Sequence, residues 1–149
     1  MTSIVLLFLS VLGFFISLYF TAVAYRWIRP DVPWIPTFCQ LGEKTCATIV
    51  FTPRARVFGL PNSVLGQIFY VALMAGVAGG FLYSPPAYYA YLMASLVTVG
   101  LGIFLTYSLL FVTRVICVLC FTSHGINFIV FLILVLGRPG SMASISGSV

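Results

Sequence analysis

Four cysteines carry the chemistry that this sequence could perform, and they fall into two pairs. Cys117 and Cys120 have two residues between them, and Cys39 and Cys46 have six. Two thiols at such spacings can close into a disulfide, or they can bind a soft metal ion as thiolates. The sequence therefore predicts either thiol–disulfide exchange or metal binding, and the positions of the pairs in the fold must decide between them.

The second pair stands at the start of a long apolar run. Arg114 precedes the pair, and the only histidine of the chain, His124, follows Cys120 by four residues. On a helix, Cys117, Cys120 and His124 would share one face. The positive end of the helix dipole and Arg114 would both favour the thiolate form of Cys117, which is the nucleophile of disulfide exchange.

His124 would then lie inside a membrane helix, where an ionisable side chain is costly and therefore usually functional. One turn from Cys120, its imidazole could donate a hydrogen bond to a ligand carbonyl or move a proton. A hydrogen bond to a neighbouring backbone group is the structural alternative. Asn127 lies on a neighbouring strip of the same helix, and we expect it to make a helix–helix contact.

The composition indicates an integral membrane protein. Of the 149 residues, 62% are hydrophobic and only 6% are charged, whereas a soluble domain carries about 25% charged residues. Residues 57–113 and 115–137 contain no Asp, Glu, Lys or Arg. The net charge of +5 comes from a few basic residues beside apolar runs, where they orient helices, so it does not indicate nucleic-acid binding.

Four apolar runs are long enough to cross a hydrocarbon core of about 30 Å as helices. The first lacks a basic start and a small-residue cleavage site, so we expect a retained helix rather than a signal peptide. The third is rich in small residues, including Gly100 and Gly102, which allow close helix packing. The predicted helices cover residues 3–25, 63–83, 87–111 and 116–136.

The predicted fold class is an all-α membrane protein, a four-transmembrane-helix bundle with one longer extramembrane loop between helices 1 and 2. Residues 1–136 form the membrane domain, residues 26–62 form the loop, and the Gly/Ser-rich tail 137–149 is expected to be disordered. Where the loop returns to the membrane, Asn62 or Ser63 is expected to cap the second helix.

This topology brings the two cysteine pairs together. The loop with Cys39 and Cys46 and the turn before the fourth helix lie on the same side of the membrane. Four cysteines in two pairs at one face favour a dithiol–disulfide relay over inert packing. A four-thiolate metal site remains the alternative, although a spacing of six residues is loose for zinc.

The pattern resembles the vitamin K epoxide reductase family, from the first helix to about Leu136. Three segments carry the resemblance, and the combination of Asn-Ser-x-x-Gly before the second helix with Cys-x-x-Cys before the fourth is specific. They are Cys39-x6-Cys46, then Phe58-Gly-Leu-Pro-Asn-Ser-Val-Leu-Gly-Gln-Ile-Phe-Tyr70, and Leu109-Leu-Phe-Val-Thr-Arg-Val-Ile-Cys-Val-Leu-Cys-Phe-Thr-Ser-His-Gly-Ile-Asn127.

The resemblance implies a four-helix bundle around a quinone of the ubiquinone or menaquinone type. Cys120 would reduce the quinone, and Cys117 would exchange with the loop pair, most directly with Cys46. Cys39 would face an external thiol partner. Asn62 matches the asparagine that hydrogen-bonds a quinone carbonyl in the family, although a helix cap is the other role open to it.

Two departures separate this chain from the vertebrate enzymes of that family. His124 stands where they have a tyrosine that touches the quinone, and the loop is much shorter than theirs. Both features favour the prokaryotic role, in which such proteins oxidise a thioredoxin-fold protein and pass electrons to a membrane quinone. These residues include no thioredoxin-like segment, so we expect a separate partner protein, with membrane lipid around the bundle.

Two alternatives stay open. A non-enzymatic metal-thiolate membrane protein would use both pairs as ligands, but it would leave Asn62 and His124 without a role. The bacterial DsbB type performs the same quinone chemistry, but its Cys-x-x-Cys lies in the first loop rather than on the fourth helix.

The basic residues predict the orientation of this multi-pass protein in the cell membrane. Loops rich in Lys and Arg normally stay in the cytoplasm. The side opposite the cysteines carries only Arg138, so we expect the cysteines to face the cytoplasm, where hyperthermophiles also form disulfides. The cysteine side carries six basic residues, namely Arg26, Arg29, Lys44, Arg54, Arg56 and Arg114.

Overall fold

The computed structural model is a helical bundle, and it describes residues 2–28, 53, 56–57, 59–114 and 117–137. Within these residues the prediction of an all-α membrane bundle of four helices is confirmed. The helices are α1 (Thr2–Ala24), α2 (Asn62–Ala78), α3 (Pro85–Tyr107) and α4 (Val118–Leu136).

Short elements connect these helices. A 3-10 turn, Phe81–Tyr83, follows α2, and a π-helical segment, Ser108–Thr113, extends α3. Strands β1 (Arg56–Val57) and β2 (Leu60–Pro61) pair antiparallel immediately before α2. Most of the predicted loop over residues 26–62 lies outside the described residues, and so does the predicted tail beyond residue 137.

Three of the helices are long and apolar enough to cross a membrane. They are α1, α3 with its extension to Val112, and α4, with mean hydropathies of 2.4, 2.0 and 2.2. Helix α2 is apolar but has only 17 residues, whereas the sequence predicts a helix over residues 63–83. It ends early because Gly79 and Gly80 follow, and Gly80 adopts the left-handed conformation (φ 72°) that stops a helix.

Glycines set the close approaches between helices. Helix α1 packs mainly on α2 and also on α4, while α3 packs mainly on α4. A Cβ on Gly13 of α1 would lie 2.2 Å from Cζ of Tyr70, so the tyrosine ring fills the notch that this glycine leaves. Between α2 and α3, Gly76 receives the ring of Tyr91, whose hydroxyl donates to the Ala72 carbonyl at 2.9 Å.

Side-chain hydrogen bonds join the helices in pairs. Thr21 of α1 donates to the hydroxyl of Ser63 on α2 at 2.9 Å. The Tyr70 hydroxyl donates to Oδ1 of Asn127 on α4 at 2.6 Å, which confirms the expected helix–helix contact of Asn127. The Tyr88 hydroxyl of α3 donates to the Leu134 carbonyl of α4. Such bonds stabilise membrane bundles by roughly 0.6–2 kcal/mol each and fix the rotation of each helix.

The predicted cap of α2 is wrong. Pro61, not Asn62 or Ser63, is the N-cap residue, and no side chain makes a capping hydrogen bond there. The pairing of Leu60–Pro61 with Arg56–Val57 keeps the chain extended up to Pro61, so the helix begins at Asn62 itself. The Asn62 amide therefore has no capping role, and the Ser63 hydroxyl is used by Thr21 instead.

Candidate functional site

The candidate site is built around the N-terminus of α4. After the π-helical segment the chain passes through Arg114, which has a left-handed backbone (φ 51°), and reaches Cys117, the N-cap of α4. Cys117 is extended, and its Sγ accepts a hydrogen bond from the Cys120 backbone N–H at 3.4 Å. An N-cap residue lies outside helical geometry so that its side chain can accept such a bond.

This placement corrects one expectation from the sequence. The predicted common face of Cys117, Cys120 and His124 assumed that all three residues are helical, but α4 begins only at Val118. Cys120 and His124 do share a face, because they are four residues apart within α4. Cys117 instead approaches Cys120 from beyond the end of the helix.

The two cysteines at this end of α4 differ in state. Cys117 is fully buried and disulfide-bonded, whereas Cys120 is free and half-buried against the core. The predicted loop cysteines, Cys39 and Cys46, both lie outside them.

This arrangement is suited to thiol–disulfide exchange. The positive end of the α4 dipole, equivalent to roughly half a unit charge, lies beside Cys117 and would favour a thiolate of that residue. A Cys120 thiolate that attacked Sγ of Cys117 would close the Cys-x-x-Cys disulfide and release the sulfur previously bonded to Cys117 as a thiolate. The reverse reaction would reopen it.

His124 lies one turn further along α4, against helix α3. A Cβ on Gly102 of α3 would lie 3.0 Å from Nδ1 of His124, so the imidazole occupies the space over that glycine. Nδ1 is buried and has no hydrogen-bond partner within the described part of the chain. Leaving a buried polar atom unpaired costs about 1–3 kcal/mol, and a ligand carbonyl or hydroxyl would remove that cost.

A groove of about 350 Å³ adjoins the imidazole between α3 and α4. Its walls are almost entirely apolar, and it is open along one side. It is lined by Val99, Gly102, Ile103, Thr106, Tyr107, Leu110, Phe111, His124 and Phe128.

The structure thus groups some of the predicted site residues and not others. Cys117, Cys120 and His124 lie within the first two turns of α4 or at its cap. Asn62 begins α2, is half-buried, and is not among the residues that line the groove. Among the described residues, no group of three or more His, Cys, Asp or Glu side chains could hold a metal ion.

The sequence does not show which residues two side chains near the site contact. It predicts Gly102 as a packing glycine, but not that His124 is the side chain that packs against it. It also gave no role to Tyr70, which is completely buried and tied to Asn127. A tyrosine in an apolar run carries no signal of this kind, because its partner comes from a different helix.

The sequence was compared with models of known protein families. A model described as the vitamin K epoxide reductase family matches residues 4–135. The matched region contains all four cysteines and nearly the full length of the four helices.

Proposed function

Because the chain belongs to the vitamin K epoxide reductase family, we propose that it passes electrons from a thioredoxin-fold protein, through its two cysteine pairs, to a membrane quinone. Membership makes the protein an integral membrane oxidoreductase of thiols, in a family that generally uses quinones and works with thioredoxin-like partners. The observation that best supports the finer proposal is the disulfide-bonded Cys117 three residues from the free Cys120.

The proposed relay consists of two exchange reactions. A thiolate of the reduced partner attacks the Cys39–Cys46 disulfide, and the partner leaves with its own disulfide while the loop holds a dithiol. The Cys46 thiolate then attacks Sγ of Cys117 and displaces the Cys120 thiolate. A bond between Cys46 and Cys117 beside a free Cys120 is the middle of this second exchange, so we propose Cys46 as the partner of the disulfide at Cys117.

The second exchange ends when the Cys39 thiolate attacks Cys46 and releases Cys117. The loop is then a disulfide again, and Cys117 and Cys120 are a dithiol. A quinone of the ubiquinone or menaquinone type, when bound, accepts two electrons and two protons and leaves as the quinol. Cys120 faces the bundle core, so it is the cysteine that we propose to react with the quinone, and closure of the Cys117–Cys120 disulfide completes the cycle.

The chain has groups that fit a quinone carbonyl. His124 offers a buried Nδ1 that has no partner among the described residues, and a neutral imidazole protonated there would donate to the carbonyl. Asn62 does not cap α2, and we propose that its amide donates a hydrogen bond to the second carbonyl. Both residues would orient the ring and polarise it without forming covalent bonds.

The test is quinone reduction by the purified protein under anaerobic conditions, with a small dithiol as donor. Quinol should form with the wild type and fall at least 1000-fold in Cys120→Ala, because this variant lacks the reacting thiol. Thr122→Ala, an exposed change in the same turn of α4, is the matched control and should retain activity. An inactive wild type that binds one metal ion per chain would overturn the proposal in favour of the metal-thiolate alternative.

We further propose that the cysteine side faces the cytoplasm. The support is the distribution of charge, since six of the seven basic residues fall on that side of the predicted topology. Of these, Arg26 and Arg114 are exposed beside the ends of α1 and of the π-helical segment. If a membrane-impermeant maleimide labels Cys39 in intact cells under reducing conditions, the orientation is the opposite one.

A further inference from the structure

The groove between α3 and α4 opens towards the lipid that surrounds the bundle. Its lining side chains on α3 are mostly exposed, including Ile103 (67%), so in a membrane they meet hydrocarbon. The lining residues of α3 and its π-helical extension run from Val99 to Phe111, which at the helical rise corresponds to about 18 Å. One leaflet is half of a hydrocarbon core of about 30 Å, so the groove is about as long as one leaflet is deep.

The groove ends close to a positive charge. Arg114 follows Phe111 by three residues and is the exposed C-cap of the π-helical segment, so it lies less than one turn beyond the lining residues of that segment. The rings of Tyr107 and Phe111 pack with their centroids 4.9 Å apart and form the wall at this end of the groove. Aromatic rings and basic side chains are typical of the level of the lipid headgroups. The groove therefore runs from the hydrocarbon core to the headgroup region.

The backbone of Arg114 shows that an arginine stands where a glycine would fit more easily. Its φ of 51° is in the left-handed region, which favours glycine. Among the described residues other than glycine, a positive φ occurs at one further position, Arg26 (φ 59°), which follows α1. A cation at the end of a helix interacts favourably with the helix dipole, and this effect applies to both arginines. Arg26 is therefore the control that separates a helix-end effect from a binding site at Arg114.

The charge balance of the chain requires anions from outside. The sequence has seven Lys and Arg residues but only two Asp and Glu residues, so most of its basic side chains have no acidic partner within the chain. A guanidinium binds a phosphate group through two parallel hydrogen bonds. An anionic phospholipid offers both a phosphate at headgroup level and an acyl chain for the apolar groove. Phosphatidylcholine carries its own cation beside the phosphate and therefore fits Arg114 less well.

We propose that Arg114 and the groove between α3 and α4 form a binding site for one anionic phospholipid. Its phosphate lies on the guanidinium of Arg114, and one acyl chain lies in the groove. The lipid then covers the contact between α3 and α4 on the side that faces the bilayer. This inference goes beyond the proposed thiol–quinone chemistry and does not depend on it, because neither contact uses a cysteine or the nitrogens of His124.

Lipid binding to the purified full chain tests the site. The protein in a mild detergent is titrated with phosphatidylglycerol or with phosphatidylcholine of the same acyl chains, and bound lipids are counted by native mass spectrometry. One phosphatidylglycerol per chain should bind at least tenfold more tightly than phosphatidylcholine. Excess glycerol 3-phosphate, which has the phosphate but no acyl chain, should not displace it. Equal affinity for the two lipids, or displacement by glycerol 3-phosphate, would overturn the inference.

Matched variants assign the charge. Arg114→Gly should abolish the preference for phosphatidylglycerol, and the fold should persist because glycine suits the left-handed backbone there. Arg26→Gly removes the same charge from a similar backbone conformation, but α1 contributes no side chain to the described lining of the groove, so this variant should keep the preference. A preference that survives Arg114→Gly, or that Arg26→Gly also abolishes, would indicate a general effect of charge and would refute the site.

A second pair of variants assigns the acyl chain. Ile103→Trp fills the groove and should lower the affinity for phosphatidylglycerol about tenfold. Met93→Trp, at a position of similar exposure (59%) on the same helix but outside the groove, should leave it unchanged. Equal affinities in the two variants would show that the acyl chain does not lie in the groove.

A prenylated quinone is the other occupant to test. It has a hydrocarbon chain but no charge for Arg114, so at equal concentration it should not displace the phosphatidylglycerol. Displacement would assign the groove to the quinone and would overturn the inference. Since this assay measures lipid binding alone, its failure would leave quinol formation by Cys120 as a separate question with its own test.

Discussion

Two aromatic side chains, Tyr70 on α2 and His124 on α4, meet a glycine of a neighbouring helix in very different ways. Tyr70 fills the notch at Gly13 of α1, is completely buried, and donates its hydroxyl to Asn127 at 2.6 Å. In the half of the bundle formed by α1, α2 and α4, this one side chain therefore makes both a close packing contact and a hydrogen bond. The Tyr70 hydroxyl therefore has its hydrogen-bond partner within the bundle.

His124 fills the corresponding space over Gly102, but its buried Nδ1 has no partner among the residues that the structure describes. Its other neighbour is an open groove rather than a packed helix. The contrast holds for these two contacts only, because Nε2 of Gln67 on α2 is also buried without a partner among the described residues. We infer that the Tyr70 contact stabilises the bundle and that the His124 contact serves activity, and mutations can test this division.

The largest effect is expected from the loop rather than from either half. Replacing Cys39 by Ala should abolish oxidation of a reduced thioredoxin-fold protein, because this residue is proposed to exchange with the partner. Quinol formation driven by a small dithiol should continue, since such a donor can take the place of Cys39 in attacking Cys46 and so release Cys117. The two rates are measured side by side with the same preparation, and equal loss of both would contradict this division of labour.

On the α3–α4 half, His124→Leu should damage activity and leave stability intact. The KM for a prenylated quinone should rise at least tenfold, because the imidazole no longer donates to the carbonyl. The free energy of unfolding should be unchanged or higher, since the variant removes an unpaired buried nitrogen.

Steady-state kinetics and thermal unfolding in detergent measure these two effects. Thr122→Leu, an exposed change two residues earlier on α4, is the control and should alter neither. A clear loss of thermal stability in His124→Leu would show that the imidazole serves packing after all.

In the half formed by α1, α2 and α4, Gly13→Ala should lower stability and leave activity intact. The new Cβ would lie 2.2 Å from Cζ of Tyr70, so the ring must move, and overpacking of this kind costs about 1–3 kcal/mol. Thermal unfolding should show the loss, while the dithiol-driven rate at a temperature where the protein stays folded should remain within twofold. Gly125→Ala, where a Cβ meets nothing within 4 Å, is the matched control.

The sequence predicts the helix bounds of both halves about equally well. It does not predict that the Tyr70 hydroxyl has a hydrogen-bond partner while Nδ1 of His124 has none among the described residues. Hydropathy places the first helix at residues 3–25, against Thr2–Ala24 in the structure, and the fourth at 116–136, against Val118–Leu136. These limits are local properties, because an apolar run of a given length crosses the bilayer wherever it lies. The sequence does not predict the early end of α2, because Gly79 and Gly80 lie within an apolar run and the left-handed conformation of Gly80 is not evident from it.

The contacts that distinguish the halves are not local. Gly100 and Gly102 look alike in the sequence, yet only Gly102 meets another side chain, because the rotation of α3 about its axis decides which glycine faces α4. The Cys-x-x-Cys motif correctly predicts a helix N-terminus at this point, but it does not predict that Cys117 caps the helix instead of belonging to it. The prediction that Asn62 caps α2 is wrong for a similar reason, because the pairing of β1 with β2 determines where α2 begins.

The smallest expected effect gives the sharpest test of the comparison. Tyr70→Phe keeps the ring in the Gly13 notch and removes only the hydroxyl, so the variant loses the interhelical hydrogen bond to Asn127, worth roughly 0.6–2 kcal/mol in a membrane bundle. Asn127→Ala removes the other partner of the same bond. If the bond is an isolated joint, unfolding of the double variant should show less destabilisation than the sum of the two single variants, and all three should reduce quinone at the wild-type rate. A reduced rate in Tyr70→Phe alone would extend the site across the core to α2, and the separation of the two halves would then fail.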